Sequence, residues 1–332
     1  MYRIIGFVLI LISFSIGWCW MEYKNAADNP LPIDAPLRFY VKSGDSLNRV
    51  AQHLSALKIL KTPLWFKILA LVQGQSDSLK AGEYLIPTGI TGRQLLAIFV
   101  EGKVQQHTLQ LVEGWTFKQV FSTVCSNPAI IDTACSQNYP SIMRALGFPG
   151  EHPEGRFFPD TYYLISGTTD IEFLDRALKK MNRVLEKEWE NRAANLPFST
   201  PYETLILASI IEKETGLSNE RSTIAGVFVR RLQQGMLLQT DPTVIYGMGE
   251  RFDGNIRFKD LREDTAYNTY VHPGLPPTPI ALPGVAAIHA ALHPKAGKSL
   301  YFVADGNGGH VFSATLQAHN RAVNKYQRRR KH

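Results

Sequence analysis

Thr200-Pro-Tyr-Glu-Thr-Leu-Ile-Leu-Ala-Ser-Ile-Ile-Glu-Lys-Glu-Thr-Gly216 is the run from which the rest of this chain can be interpreted. Thr200 can cap a helix, Pro201 suits its first position, and Glu203 completes a capping box. Leu205 to Ile211 is then apolar on every side except at Ser209. A surface helix keeps a single apolar stripe, so this one belongs in a core. It closes on Glu212, Lys213 and Glu214, with Gly216 as the expected stop. A carboxyl at the rim of a core loses solvation, and its pKa rises toward neutrality. That is the condition for a general acid. Glu212 and Glu214 are two positions apart and point to roughly opposite sides. Glu214 falls in line with Leu207, Ile210 and Ile211, and Glu212 with Leu205, Ala208 and Ser209. Periodicity does not choose between them, and two solvated acids at a helix end are the plain alternative.

The chain of 332 residues is long enough for two or three cores. An apolar content of 45% with 20% charged residues describes a folded protein rather than a disordered one. A net charge of +7 suits anionic partners. The basic residues make no nucleic-acid footprint, because only Arg328, Arg329, Arg330 and Lys331 cluster, at a solvated tail. Three cysteines show no metal-ligand spacing. Cys125 and Cys135 could pair in an oxidising compartment and would stay free in the cytosol. His289 and His293 stand at i, i+4 with no acid beside them in sequence, and read as structural or exposed. No metal and no cofactor is expected.

Ile4 to Trp20 is an apolar run behind Arg3, at the short end for a membrane span. It lacks a good cleavage site and reads as an uncleaved anchor rather than a signal peptide. Arg3 on the short side favours a cytoplasmic N-terminus with the remainder outside. Asn29 to Pro36 carries three prolines and reads as a linker. Next come a strand at 37–41, a Ser43-Gly-Asp-Ser46 turn, helices at 47–57 and 63–72, a strand at 82–86 and a helix from Thr91.

Further on, a strand at 107–112 and helices at 116–124 and 141–146 precede Pro153-Glu-Gly-Arg-Phe-Phe-Pro-Asp-Thr-Tyr-Tyr163. That mix of rings, prolines and charges suits either a groove lining or a hydrophobic plug. A long amphipathic helix spans 171–192, and a helix capped by Ser218 runs to Gln234 with Ile224, Val227, Phe228, Arg231 and Leu232 as its stripe. A short helix starts at Asp241-Pro242. His272 to Pro279 is proline-rich and reads as a stiff, exposed wall. A helix from Pro283, a hairpin across Asp305-Gly-Asn-Gly-Gly309 and a last helix at 316–326 complete the chain.

Three strings stand in order: Glu214-Thr215 at a helix end, Gly235-Met-Leu-Leu-Gln239, and Ala266-Tyr-Asn268. They resemble the lysozyme-like lytic transglycosylases, which carry Glu-Ser, Gly-x-Met-Gln and Ala-Tyr-Asn strings. Longer strings are more specific: Ile211-Glu-Lys-Glu-Thr215, Leu238-Gln-Thr-Asp-Pro-Thr-Val-Ile-Tyr-Gly247, Ala266-Tyr-Asn-Thr-Tyr270, Gly274-Leu-Pro-Pro277 and Tyr301-Phe-Val-Ala-Asp305. These resemble the MltG (YceG-like) endolytic murein transglycosylases over nearly the whole chain. Ser-Gly-Asp-Ser-Leu47, in its strand–helix–helix–strand setting, resembles a LysM glycan-binding module.

The resemblance implies an α+β protein. The expected organisation is a transmembrane helix (1–21), a linker (22–36), a LysM-like module (37–105) and a mixed catalytic domain (106–332) with a lysozyme-like helical site. It implies cleavage of nascent peptidoglycan strands with Glu214 as the catalytic residue. Glu212, Gln239, Thr240, Asp241, Tyr267 and Asn268 would bind or shape the substrate site. The string ending at Gln239 is one residue longer than the family's, which loosens that assignment. The expected setting is the inner membrane, single-pass, with a periplasmic catalytic domain. The expected partners are glycan strands and the membrane, with peptidoglycan synthases as candidates. A muramidase that uses water and an anchored glycan-binding scaffold are the alternatives.

Overall fold

The computed structural model describes residues 2–42 and 44–328. Ser43, the side chain of Arg3 and most of the basic tail (Arg329, Arg330 and Lys331) lie outside the described residues. The chain divides into two compact units, Met1–His107 with Tyr163–Thr168, and Thr108–Tyr162 with Thr169–His332.

The first unit opens with a helix, Tyr2–Asp28. The most apolar 18-residue window of its Ile4–Asp28 portion has a mean hydropathy of 2.2 and no burial, so the helix is long and apolar enough to cross a membrane. The helix continues to Asp28, through the first seven residues of the expected linker (22–36), and Ala27 is fully buried in the unit's core. Close approach makes this docking possible: a Cβ on Gly92 would lie 2.2 Å from the Ala26 carbonyl oxygen. Strand Leu37–Val41 and strand Gly82–Ile86 pair antiparallel, from Leu37 opposite Ile86 to Val41 opposite Gly82. Between them lie helices Leu47–Ala56 and Pro63–Val72. Ser46 caps the first of these, accepting from Arg49 N at 3.4 Å. A reciprocal Thr91–Gln94 capping box starts helix Gly92–Glu101. Phe39, Leu54, Phe66, Tyr84 and Phe99 fill the centre.

The second unit is built around the Pro201–Glu214 helix. Its capping box forms as the sequence requires, and every residue from Thr204 to Ile211 is buried. Around it pack helices Asp170–Glu190, Arg221–Gln233 and Val285–Leu292, in a core that includes Leu207, Ile210, Ile224, Phe228 and Ile288. Ser209, the one hydroxyl of the apolar run, donates to Ile206 O at 2.7 Å and accepts Ile280 N at 2.9 Å. That bond helps explain why the proline-rich segment departs from expectation. From Thr278 onward it is buried against the helix rather than exposed. Its prolines bring no N–H to satisfy, and Ser209 takes the one that Ile280 brings.

Other differences have local causes. Helix Pro201–Glu214 ends because Thr215 turns extended at φ −146°, before Gly216 is reached. Helix Arg221–Gln233 starts after Glu220 with no side-chain cap, and Ser218 does not serve. The Glu220 carboxylate instead takes His310 N at 2.9 Å and His310 Nδ1 at 2.7 Å. Thr161–Ile165 is a strand whose buried Tyr162 and Leu164 alternate with exposed neighbours, a period masked by the Phe157-Phe158-Pro159 run before it. Cys125 and Cys135 form a disulfide. Strands Tyr301–Ala304 and His310–Ser313 make the hairpin, and helix Leu316–Val323 follows.

Candidate active site

A cleft of about 480 Å³ opens in the second unit where the Pro201–Glu214 helix ends. Glu214, Gln239, Asp241 and Tyr270 line it, with Tyr301 and His310 from the hairpin. Glu214 has protein on nearly all sides, yet part of it stays open to the cleft. That desolvation raises its pKa to about 7, against the opposing hydrogen bond from Thr240. The nearby Asp241 charge adds to the rise.

Thr240 Oγ1 donates to Glu214 Oε1. Thr240 is also the residue before helix Asp241–Met248, where a threonine normally caps. Here it makes no capping bond, and its hydroxyl serves the carboxyl instead. A buried threonine network fixes it in place. Thr240 N donates to Thr269 Oγ1 at 3.1 Å, and Thr243 Oγ1 donates to Thr240 O at 2.8 Å and meets Thr269 Oγ1 at 2.8 Å. Gln239 sits just before, at a left-handed φ of 52° that few residues other than glycine adopt. Its side chain is exposed while Leu238 and Thr240 on either side are buried. Tyr270 OH donates to Asp241 Oδ1 at 2.6 Å.

Glu212 points elsewhere, as two positions on a helix require. Its carboxylate accepts Gly284 N at 3.0 Å and lies 3.5 Å from Arg221. Burial raises its pKa as well. Tyr267 and Asn268 do not line the cleft. Tyr267 OH meets Thr278 Oγ1 at 2.8 Å. Asn268 is 1% exposed, and its amide is fully engaged. It donates to Glu263 O at 2.7 Å and Asp260 O at 3.3 Å, and accepts Tyr270 N at 2.9 Å. It thereby holds the loop that delivers Tyr270.

A second cavity, about 650 Å³, is lined by Glu154, Tyr139, His152, Tyr246 and Tyr267. The proline–aromatic segment is therefore mostly plug, with Phe157 fully buried, but Glu154 within it faces open space. Gly155 turns there at φ +74°, where a Cβ would meet Pro279 at 2.4 Å. Glu154 accepts Phe117 N at 2.8 Å and Tyr246 OH at 2.9 Å, and burial pushes it to about 7. Its elevation over the usual 4.5 means the folded state binds a proton more tightly than the unfolded chain. Its contribution is complete below the unfolded pKa and is lost as pH rises through 7. Glu154→Gln should therefore gain stability relative to wild type as pH rises from 5 to 8, by on the order of 2 kcal/mol. Paired denaturant melts across that range read it; a constant difference would refute the assignment.

Residues 39–325 match the YceG-like family. An endolytic murein transglycosylase of Bacillus subtilis is 31% identical over 304 residues, covering 86% of this chain and 83% of that protein. One from Streptococcus pneumoniae is 29% identical over 360 aligned positions, covering 96% of this chain but 64% of that protein. The chain thus spans less than two thirds of the pneumococcal relative's length. The crystal structure of a yceG-like protein from Listeria monocytogenes matches with a TM-score of 0.56 at 27% identity, over 87% of this chain and 99% of that one. The chain belongs to the YceG-like family.

Proposed function

We propose that this protein is an endolytic peptidoglycan lytic transglycosylase. It cleaves the bond between N-acetylmuramic acid and N-acetylglucosamine within glycan strands, forms a 1,6-anhydro end, and so terminates elongating strands. One observation carries the reading: Glu214 is a desolvated carboxyl with a pKa of about 7, open to a cleft in a chain similar to named murein transglycosylases.

Glu214 gives its proton to the glycosidic oxygen, and the C1–O bond breaks. The C6 hydroxyl of the same muramic acid then closes on C1, and its proton passes to Glu214. The acid is restored and no water is consumed. The attack is intramolecular, so the proximity advantage lies in the substrate and one carboxyl suffices. Gln239 and the Tyr270–Asp241 pair face the cleft, where amide and phenol groups hydrogen-bond a neutral sugar. Asn268 acts through Tyr270, and Glu212 fixes the start of the Val285–Leu292 helix.

Asp241 in the same cleft favours a second reading, in which a carboxylate activates water. Product mass separates the two. Uncrosslinked strands digested by the protein should yield anhydro-muropeptides, one water lighter than reducing ends. Reducing ends alone would establish the hydrolytic reading.

The apolar part of the N-terminal helix (1–21) serves as a single-pass anchor of the inner membrane, its last turns pack into the first unit, and a short linker (29–36) follows, with the catalytic domain (106–332) on the periplasmic side, where the Cys125–Cys135 disulfide is compatible with the redox conditions. The strand–helix–helix–strand unit at 37–105 acts as a LysM-like glycan grip. Peptidoglycan synthases, which supply nascent strands, are the partners this activity calls for.

A further inference from the structure

His289 and His293 stand one helical turn apart near the end of the Val285–Leu292 helix, with ring centroids 4.2 Å apart. No acid neighbours them in sequence. The fold brings one from far upstream: Glu188, in the last turn of the Asp170–Glu190 helix, has Oε2 2.8 Å from His289 Nδ1. One donor atom from each of the three lies within 4.8 Å of the others. The group borders a surface depression of about 520 Å³ shared with Ser218, Ser222 and Arg221.

We propose that Glu188, His289 and His293 bind a divalent transition cation of the zinc type, through two imidazole nitrogens and one carboxylate oxygen. The donor chemistry selects the class. Imidazole suits zinc, nickel and copper, whereas magnesium and calcium take oxygen ligands. His289 lies in the last turn and His293 is the residue that ends the helix, and their stacked rings lie on one side, so both can converge on one ion. In tetrahedral coordination at about 2.1 Å, neighbouring donors lie roughly 3.4 Å apart. The observed span closes to that by side-chain rotation, for which His289, 59% exposed, has room. Water completes the coordination from the depression. Arg221 is the cation facing the site, and it is drawn toward Glu212 at 3.5 Å. Among the described residues, Glu188 is the acid that meets the two stacked imidazoles. An ion satisfies all three groups at once and ties the ends of two helices that pack against the Pro201–Glu214 helix.

The test is titration of chelator-stripped, tag-free full-length protein in detergent with Zn²⁺, and with Mg²⁺ as control. A single saturable Zn²⁺ site is expected, with no comparable Mg²⁺ binding and a higher melting temperature when Zn²⁺ is present. Losing a direct ligand should cost more than the roughly 10–100-fold typical of removing a group that only orients a ligand. His293→Ala and Glu188→Gln should each weaken binding at least that far and abolish the melting shift. Co²⁺ should give a visible absorption band in wild type that both variants lose. Circular dichroism and unchanged strand cleavage without metal confirm that the variants fold. No saturable Zn²⁺ site in wild type, or Zn²⁺ binding unchanged in both folded variants, overturns the proposal.

Discussion

Glu214→Gln is expected to lower strand cleavage by roughly three orders of magnitude, within the range that general acid–base groups contribute. The amide keeps the shape and can still accept from Thr240, but it has no proton to give. Stability should not fall. The wild-type carboxyl is held near pKa 7 by burial, so its charged form opposes folding at higher pH, and the neutral amide removes that penalty. The same shift sets the wild-type pH profile. Glu214 works as an acid only while protonated, so kcat/KM should fall as pH rises through about 7, where an ordinary glutamate at 4.5 would already be ionised. Liquid chromatography with mass detection reads the products, and a melting curve reads the fold. Full activity in Glu214→Gln, with loss in Glu212→Gln, would move the chemistry to the other carboxyl.

Arg231→Met should be the most damaging single change apart from the acid itself, at a residue that borders the Glu214 cleft. Arg231 is 7% exposed and has no carboxylate partner among the described residues. Its guanidinium is satisfied by carbonyls: Leu300 O at 2.7 Å, Leu238 O at 2.8 Å and Leu237 O at 3.1 Å. It also lies 5.1 Å from the centre of the Tyr301 ring. Methionine fills the volume and leaves three acceptors without donors. With charge-assisted bonds worth about 1.5–3 kcal/mol each and unpaired buried carbonyls costing more, a loss of about 4 kcal/mol is expected. Cleavage should fall too, because two of those carbonyls, Leu237 and Leu238, belong to the segment that ends at Gln239 and Thr240. Arg231→Lys should recover only part, since an ammonium lacks the planar fork. Urea unfolding at constant pH measures the effect; a cost under 1 kcal/mol would mean the carbonyls find water.

What the sequence revealed was local or periodic. The Pro201–Glu214 helix was readable because its cap, its apolar run and its acids all lie within one short segment. Arg231 stood in plain view on an otherwise apolar stripe, and a cation there signals a buried network. Other features depend on the fold. The acid that completes the His289–His293 pair lies 101 residues away, beyond any spacing rule. Tyr270 was missed beside Asn268 because two positions in a loop exchange roles once an amide is fully bonded. Glu154 was hidden in a run whose rings suggested only packing.

The hydroxyl that Thr240 withholds from its own helix has a mechanical consequence. A hydroxyl can hand over a hydrogen or receive one by a simple rotation. Whichever state the neighbouring carboxyl occupies during turnover, the same companion can greet it without any shift of backbone. A serine in its place should preserve that swivel, whereas valine, nearly identical in outline, would freeze it.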